Sequence, residues 1–190
     1  MIPARALVVT PSYAAIPSPY GPLGLAWRKS ETGPRVARIY LPNQWVAMDV
    51  SRDEYVSPTA QPAAIAELIE RMRRFLAGEA VTLPTDLLAL EDCSPFQRKV
   101  LLAEYGVPRG SVTTYGRLAA HVGTPGGARA AGGALAGNPF PIVIPCHRAI
   151  AANGGLGGFQ GGLEMKRNLL AAEGVALSER GRVLTPRLYY

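Results

Sequence analysis

Residues that bind metals or form disulfides are scarce in this chain, which has two cysteines and two histidines among 190 residues. Cys93 and Cys146 lie far apart, and no CxxC motif occurs. A structural zinc site needs about four closely spaced ligands, and a reducing cytosol disfavours a disulfide between distant cysteines. We therefore expect two free thiols and no metal site.

Long apolar runs are also missing. The longest fall far short of the roughly 20 residues that cross a bilayer. Residues 1–24 carry one basic residue before proline and glycine interrupt them, which does not fit a signal peptide. No phosphate-binding loop or dinucleotide fingerprint occurs either. These absences predict a cytoplasmic protein without membrane contact.

The chain does have basic charge, concentrated in one half. Residues 1–93 carry 9 Lys and Arg against 10 Asp and Glu, a net charge of −1. Residues 94–190 carry 11 against 4, a net charge of +7. This asymmetry favours a C-terminal half that meets a polyanion. A solvated basic surface without a partner explains the count equally well.

Residues 1–90 are predicted to form a small mixed domain. Residues 22–27 and 36–41 are expected to be strands on either side of a turn at residues 32–34. Apolar residues then recur at helical spacing from Ile65 to Leu76, which predicts an amphipathic helix that ends near Gly78. Residues 83–93 are expected to be a linker.

Residues 91–190 are predicted to form a second domain that opens on a capped helix. Ser94 suits the N-cap, Pro95 suits the first turn, and Gln97 completes a capping box. Residues 110–138 then have the pattern of a helix-turn-helix, with a turn at residues 123–127 that is rich in proline and glycine.

The second helix of this pair, residues 128–136, has an unusual composition. Nearly every residue is alanine or glycine, and Arg129 is its one long polar side chain. Ordinary recognition helices carry long polar side chains that contact base edges. A helix surface with such small side chains allows the backbone to approach a shallow minor groove closely. The alternative is that these residues pack tightly inside the protein.

A cysteine with a histidine next to it ends the apolar segment of residues 139–148, which we predict to be a buried strand. A thiol is nucleophilic only as its thiolate, and His147 and Arg148 are candidates to activate Cys146. Because successive side chains of a strand point to opposite faces, a turn or a bridging water would have to connect His147 with the sulfur. On spacing alone, a structural cysteine remains an equal alternative.

Several motifs resemble the O6-alkylguanine-DNA alkyltransferase family, also called methylated-DNA–protein-cysteine methyltransferases. The motifs are TTYGRLA, ARAAGGALAGNP, NPFPIVIPCHR and GGLGGFQGGLEMKRNLLAAEG, and the resemblance is continuous from Ser94 to Gly174. It is weaker in the N-terminal half, where it depends on SPYGPLGLAW. The resemblance implies an α/β (α+β) fold, with an RNase H-like N-terminal domain and a winged helix-turn-helix-like C-terminal domain that carries the active cysteine.

The resemblance also implies a function. A protein of this family repairs O6-alkylguanine, and in some cases O4-alkylthymine, in double-stranded DNA by flipping the damaged base and accepting its alkyl group irreversibly. The expected partner is DNA bound through the minor groove, the expected state is a monomer, and no cofactor or metal is expected.

Individual roles follow for the matching positions. Cys146 would accept the alkyl group, His147 would act as a base through water, Glu173 would orient His147, and Tyr115 would give a proton to the leaving guanine. Arg129 would fill the gap left by the flipped base. Further DNA contacts are expected from the helix-turn-helix: Ala128, Ala130, Gly132 and Gly116. The pocket and its support would comprise Asn138, Leu135, Ala149, Phe159, Gln160, Lys166 and Arg148.

Three positions depart from the family pattern. Phe159 stands where many members have tyrosine, Ala136 stands where a basic residue is common, and the side chain of Gln160 is large for a position whose amide meets O6. Two other functions are compatible with parts of the sequence: a lesion sensor that transfers nothing, and a transcription regulator with a preferred operator. The presence of Cys146 argues against the first, and the bare second helix argues against the other.

Overall fold

The computed structural model describes residues 10–49, 54–184 and 187–190. Its N-terminal part contains a three-stranded antiparallel sheet of β1 (Ser12–Ile16), β2 (Leu23–Ser30) and β3 (Gly33–Tyr40), with β2 in the centre. The two predicted strands are present, and β1 was missed. The turn between β2 and β3 is tighter than expected, because Ser30 already pairs with Gly33 and Lys29 with Pro34.

The short helix α1 (Pro42–Trp45) follows the sheet, and the amphipathic helix α2 (Ala63–Leu76) packs on it. Five apolar side chains of α2 are buried: Ile65, Leu68, Met72, Phe75 and Leu76. The helix is followed by Gly78, whose φ of +96° is the left-handed conformation that ends many helices. The predicted amphipathic helix is therefore confirmed.

The segment predicted to be a linker is packed against the sheet instead. Leu83, Leu88 and Ala89 are buried, and Val36 of β3 exchanges backbone hydrogen bonds with Leu87 and Ala89. Apolar side chains in an irregular segment explain the difference, since burying them stabilises the segment where it lies. A short 3₁₀ turn, Leu90–Asp92, leads to the next helix.

Three helices follow: α3 (Pro95–Tyr105), α4 (Tyr115–His121) and α5 (Ala128–Ala136), and α4 and α5 form the predicted helix-turn-helix. The Ser94 hydroxyl accepts a hydrogen bond from the Gln97 backbone and so caps α3. The capping box is wrong, however. The Gln97 amide donates to the carbonyls of Ala134 and Gly137 and thereby connects α3 to the end of α5.

The strand predicted for residues 139–148 is also wrong. The segment forms a tight turn, in which Ile142 has a φ of +75°, and then a 3₁₀ turn, Cys146–Arg148. Prolines 139, 141 and 145 remove three backbone donors that a strand would need. The strand β5 (Ala149–Ile150) comes after the cysteine and pairs in parallel with β4 (Thr113–Thr114).

The last helix, α6 (Gly162–Ala172), packs against the Cys146 turn. The main apolar core runs from Ala14 to Leu169 and contains side chains from both halves of the chain. The mixed α/β fold predicted from the sequence is confirmed, whereas the division into domains at residue 90 stays a prediction. No helix within the described ranges is long and apolar enough to span a membrane. The signal-peptide interpretation concerned residues 1–24, of which residues 1–9 lie outside those ranges.

Candidate active site

A cavity of about 600 Å³ opens beside Cys146. Cys146 is 5% exposed, so it is neither completely buried in the core nor freely exposed to solvent. A volume of this size accommodates a small-molecule ligand. The lining residues come from α4, α5, the cysteine turn and the loop before α6: Tyr115, Ala128, Arg129, Gly132, Leu135, Ala136, Cys146, Gly158, Phe159 and Gln160.

The turn that presents Cys146 is held by Asn138, which is fully buried. The side-chain Oδ1 of Asn138 accepts a hydrogen bond from the Phe140 backbone at 2.9 Å, and the side-chain Nδ2 donates to the Ile144 carbonyl at 3.2 Å. One side chain thus replaces backbone pairing that the prolines make impossible. The Asn138 side chain also lowers the pKa of the Cys146 thiol.

Behind the sulfur lies a buried chain of three polar residues. Nε2 of His147 and Oε1 of Glu173 are 2.9 Å apart. Arg148 holds the same carboxylate with two hydrogen bonds of 2.8 Å, from Nε to Oε2 and from a terminal nitrogen to Oε1. A bidentate arginine fixes both the position and the charge of a carboxylate.

The electrostatics of this chain determine which nitrogen of His147 is free. Burial opposes ionisation of Glu173, but the hydrogen bonds from His147 and Arg148 dominate and lower its pKa to about 2. Glu173 is therefore an acceptor, so Nε2 of His147 carries the hydrogen. Burial lowers the pKa of His147, which keeps the ring neutral at rest. Its Nδ1 is buried and has no hydrogen-bond partner among the described residues.

Cys146 itself is a thiol at rest. Burial raises its pKa to about 11, opposed by the hydrogen bond from Asn138 and by the positive charge of Lys166. A sulfur in this state reacts only when a base removes its proton. The free Nδ1 of the adjacent histidine is a base with an ionised carboxylate behind it, the arrangement used to activate nucleophiles elsewhere.

Tyr115 begins α4, lines the cavity and lies against the loop before α6. Gly157 of that loop has a φ of +67°, and a Cβ there would lie 2.5 Å from the Tyr115 hydroxyl. The loop therefore approaches the Tyr115 phenol so closely that only glycine fits at position 157. Burial and the nearby cysteine raise the pKa of Tyr115, so its hydroxyl keeps its proton.

Lys166 connects the two sides of the site. It is fully buried on α6, and its Nζ donates to the Ala149 carbonyl at 2.6 Å and to the Gly158 carbonyl at 3.2 Å. Ala149 directly follows the cysteine turn, and Gly158 belongs to the loop over the cavity. Lys166 thus fixes the position of that loop relative to the cysteine turn.

Gln160 holds the same loop from the other end. Its side-chain amide donates to the carbonyls of Ala136 and Asn138 and accepts from Gln44 of the N-terminal part. Phe159 is half-buried, and its ring meets the His147 ring edge-on with centroids 6.3 Å apart. Its lack of a hydroxyl therefore leaves the ring packing intact.

The predicted DNA contacts lie on or near the rim of the cavity. Ala128 and Gly132 line it, as does Arg129, which is exposed on α5. Ala130 and Gly116 lie on the outer surface and do not line the cavity.

Of the residues predicted for the pocket and its support, Leu135, Phe159 and Gln160 line the cavity, whereas Asn138, Ala149, Lys166 and Arg148 do not. Of the predicted catalytic residues, Tyr115 and Cys146 line the cavity, whereas His147 and Glu173 are buried outside its lining.

Sequence reasoning missed Glu104, a fully buried residue of α3. Its spacing contained the necessary signal, since Val100, Leu101 and Glu104 share one helical face and all are buried. Among the described residues, no group of three or more histidine, cysteine or acidic side chains could hold a metal ion.

Comparison with known proteins identifies the family. Residues 95–175 match the model described as 6-O-methylguanine DNA methyltransferase, DNA binding domain. A methylated-DNA–protein-cysteine methyltransferase of Mycolicibacterium paratuberculosis is 38% identical, over 85% of this chain and 91% of the relative. The protein of the same name from Methanothermobacter thermautotrophicus is 44% identical, over 65% and 69%. The chain belongs to the methylated-DNA–protein-cysteine methyltransferase family.

Solved structures of the family share the fold. A Mycobacterium tuberculosis OGT in complex with DNA has a TM-score of 0.67 and 33% identity, covering 85% of this chain and 92% of its own. The O6-methylguanine-DNA methyltransferase of Pyrococcus kodakaraensis has a TM-score of 0.59 and 28% identity, covering 86% and 99%. The alkyltransferase resemblance found in the sequence is therefore confirmed across both halves of the chain.

Proposed function

We propose that the protein repairs O6-alkylguanine in double-stranded DNA by moving the alkyl group to Cys146 in one irreversible step. The observation that carries the proposal is Cys146 itself, which lines a cavity of about 600 Å³ and is followed in the chain by a histidine that belongs to a buried histidine–glutamate–arginine chain. The relatives' name and the DNA complex of the tuberculosis protein support the same activity. We expect it to act as a monomer without a cofactor.

The reaction balances with the residues present. Nδ1 of His147 takes the Sγ proton through one bridging water, and Glu173 stabilises the resulting imidazolium. The sulfur forms a bond to the alkyl carbon while the bond from that carbon to O6 breaks. The electron pair stays on guanine, which takes a proton from Tyr115, and the phenol recovers a proton from the imidazolium. The thiol proton thus ends on guanine.

The same balance explains why one molecule would act once. The product is a thioether, whose carbon–sulfur bond water does not cleave readily, and no second nucleophile is proposed to remove the alkyl group. Each transfer therefore consumes one protein molecule.

Access to O6 requires the damaged base to leave the duplex, at a cost of a few kcal/mol. The alanine and glycine surface of α5 lets the backbone approach the shallow minor groove, where discrimination between sequences is poor. Such indifference suits repair, since lesions arise in any sequence. Arg129 is exposed and lines the cavity, which supports the proposal that it occupies the gap left by the flipped base.

Intact-mass and peptide mass spectrometry test the proposal directly. The protein is incubated with a duplex that contains O6-methylguanine, and with the same duplex containing guanine. We expect one methyl mass on the Cys146 peptide with the first duplex and none with the second. Binding of the lesion without any gain of mass would instead identify a lesion sensor.

The role of Arg129 has its own test. The Arg129→Ala variant should transfer methyl more slowly, and the loss should be larger for a lesion opposite cytosine than for a lesion in a poorly paired context, because the latter unstacks at lower cost. Single-turnover rates on the two duplexes measure this difference. Equal rates for variant and native protein on both duplexes would rule out the finger role.

A further inference from the structure

Glu104 is an ionisable group inside the molecule for which the proposed reaction has no use. The residue is 0% exposed, and neither carboxylate oxygen has a hydrogen-bond partner among the described residues. A buried polar group without a partner costs on the order of 1–3 kcal/mol, and more when it is charged. Leucine or valine would fill the same face of α3 without this cost.

The position of Glu104 places it beside the reactive turn. The helix α3 packs against the turn Cys146–Arg148, and the charge of Glu104 acts on groups of four other elements. These groups are Cys146 and Arg148 of the turn, Lys166 of α6, Tyr115 of α4 and Tyr190 of the C-terminal segment.

Two charges of opposite sign therefore act on one sulfur. A negative Glu104 raises the pKa of Cys146, and a positive Lys166 lowers it. Burial raises the pKa of Glu104 to about 8, against the attraction of Lys166 and Arg148. Burial also lowers the pKa of Lys166 to about 8. Near neutral pH, the uncharged form of Glu104 leaves the lysine as the dominant charge beside the sulfur.

We propose that Glu104 is a positioning residue whose bound proton leaves the positive charge of Lys166 available to the Cys146 sulfur, and so promotes ionisation of that sulfur. The inference extends the proposed function, because it concerns how readily the acceptor thiol is activated. When Glu104 loses its proton, its negative charge makes the thiolate less favourable, and Lys166, whose pKa is also about 8, loses its positive charge over the same range.

The sign of the effect can be measured without DNA. In a Cys93→Ser background, Cys146 is the one remaining cysteine, and iodoacetamide labels thiolates. Labelling rates of the protein with Glu104 and with Glu104→Gln are compared between pH 6 and pH 9. We expect equal rates at pH 6, where the carboxyl is neutral, and labelling of the variant faster by roughly three- to tenfold at pH 9, the equivalent of half to one pKa unit.

The substitution also removes the negative charge that favours the Lys166 ammonium. The total charge beside the sulfur nevertheless becomes less negative at alkaline pH, so the expected direction is unchanged. A rate ratio that stays constant from pH 6 to pH 9, or that falls, would overturn the proposal.

Two further variants separate charge from packing. Glu104→Leu introduces an apolar side chain where Glu104→Gln introduces buried amide donors, so a pH-dependent ratio that both share reports the lost charge. Glu164→Gln removes an exposed carboxylate of α6 and should leave the labelling profile unchanged. Melting temperatures confirm that each variant is folded. If Glu104→Gln does not fold, the same comparison made with Glu104→Leu decides the proposal.

The methyl-transfer rate is then measured over the same pH range. A labelling ratio that rises with pH in a protein that transfers no methyl group would support the role of Glu104 and overturn the repair function. A flat labelling ratio in an active methyltransferase would overturn the role of Glu104 alone.

Discussion

The two halves of the molecule use polar residues in opposite ways. The apolar interior formed by the sheet and α2 contrasts with the C-terminal half, where eight polar or charged side chains are buried. Within the described residues, all of these lie after residue 103: Glu104, Ser111, Thr113, Asn138, His147, Arg148, Lys166 and Glu173. The N-terminal half stabilises the fold by apolar burial, and the C-terminal half keeps buried charge for chemistry.

Two arginine–glutamate pairs of the same bidentate geometry show the difference. Arg73 and Glu70 lie on the surface of α2, with about half of each side chain exposed. Arg148 and Glu173 are 10% and 1% exposed. Exposed pairs contribute little because water and salt screen them, whereas removing one partner of a buried pair leaves the other charge unsolvated. Burial, rather than hydrogen-bond geometry, therefore determines how much the loss of one partner of each pair destabilises the protein.

The largest expected contrast is between the two cysteines. Cys146→Ser should abolish methyl transfer, because a serine hydroxyl is a far weaker nucleophile toward an alkyl carbon than a thiolate is, while binding of the methylated duplex is retained. Cys93→Ser should transfer at the native rate, since Cys93 lies outside the cavity. Single-turnover transfer and duplex binding measure both. Loss of transfer in Cys93→Ser would mean that chemistry is not confined to the C-terminal half.

The buried pair gives the next largest effect. Glu173→Gln leaves Arg148 buried without a counter-charge, which should lower the free energy of unfolding by about 3–5 kcal/mol and slow transfer by removing the charge behind His147. Urea unfolding and transfer rates check the two effects. A variant with native stability and native transfer rate would contradict the assignment of this chain of residues.

Lowering the pH should remove the contribution of the Glu173 carboxylate to the free energy of unfolding. Its folded pKa of about 2 lies below the ordinary value of 4.5, so the unfolded chain binds the proton first as pH falls. The stabilisation is complete above about pH 4.5 and is lost as the pH approaches 2. The stability difference between the native protein and Glu173→Gln should shrink over that window. Melting temperatures from pH 5 to pH 2 measure it, and a constant difference would be inconsistent with this pKa.

Two glycines sharpen the comparison between the halves. A Cβ at Gly24 would lie 1.9 Å from the Trp45 ring, and one at Gly157 would lie 2.5 Å from the Tyr115 hydroxyl. We expect Gly24→Ala to lower the free energy of unfolding by about 1–3 kcal/mol with little change in transfer by the folded protein. Gly157→Ala should slow transfer at least several-fold with a smaller effect on stability. Unfolding curves and transfer rates measure both effects. A larger loss of transfer in Gly24→Ala than in Gly157→Ala would contradict the prediction.

The smallest effect is expected at the exposed pair. Glu70→Gln removes the same type of hydrogen-bonded carboxylate as Glu173→Gln, but both partners are solvated. Its melting temperature should equal that of the native protein within experimental scatter. A loss comparable to that of Glu173→Gln would show that burial does not account for the contrast.

The sequence predicted best where backbone chemistry leaves few choices. Gly123 and Gly126 both have positive φ, as their cluster with Pro125 suggested, so the two helices around them were bounded correctly. The segment before Cys146 failed because an apolar run is compatible with a strand, and periodicity alone does not distinguish the alternatives. Its prolines carried the contrary signal.

Other features depended on contacts across the chain. Residues 12–16 were missed as a strand because that segment is stabilised by pairing with β2 rather than by a marked pattern of its own. Gln97 has the correct spacing for a capping box, but the end of α5 supplies two carbonyls that a local pattern does not reveal. The site residues were placed near one another by family resemblance, whereas the direction of the free histidine nitrogen required the structure.

The proline-rich turn held by Asn138 has a consequence for timing. Prolines restrict the unfolded chain as well as the folded one, and one amide fixes the remaining geometry. The turn therefore fixes the position of the sulfur in the free protein, and we expect DNA binding to require no rearrangement of this turn. If each protein molecule transfers one alkyl group, as we propose, a cysteine that is already in position at the first contact with DNA matters more than a site that can be regenerated.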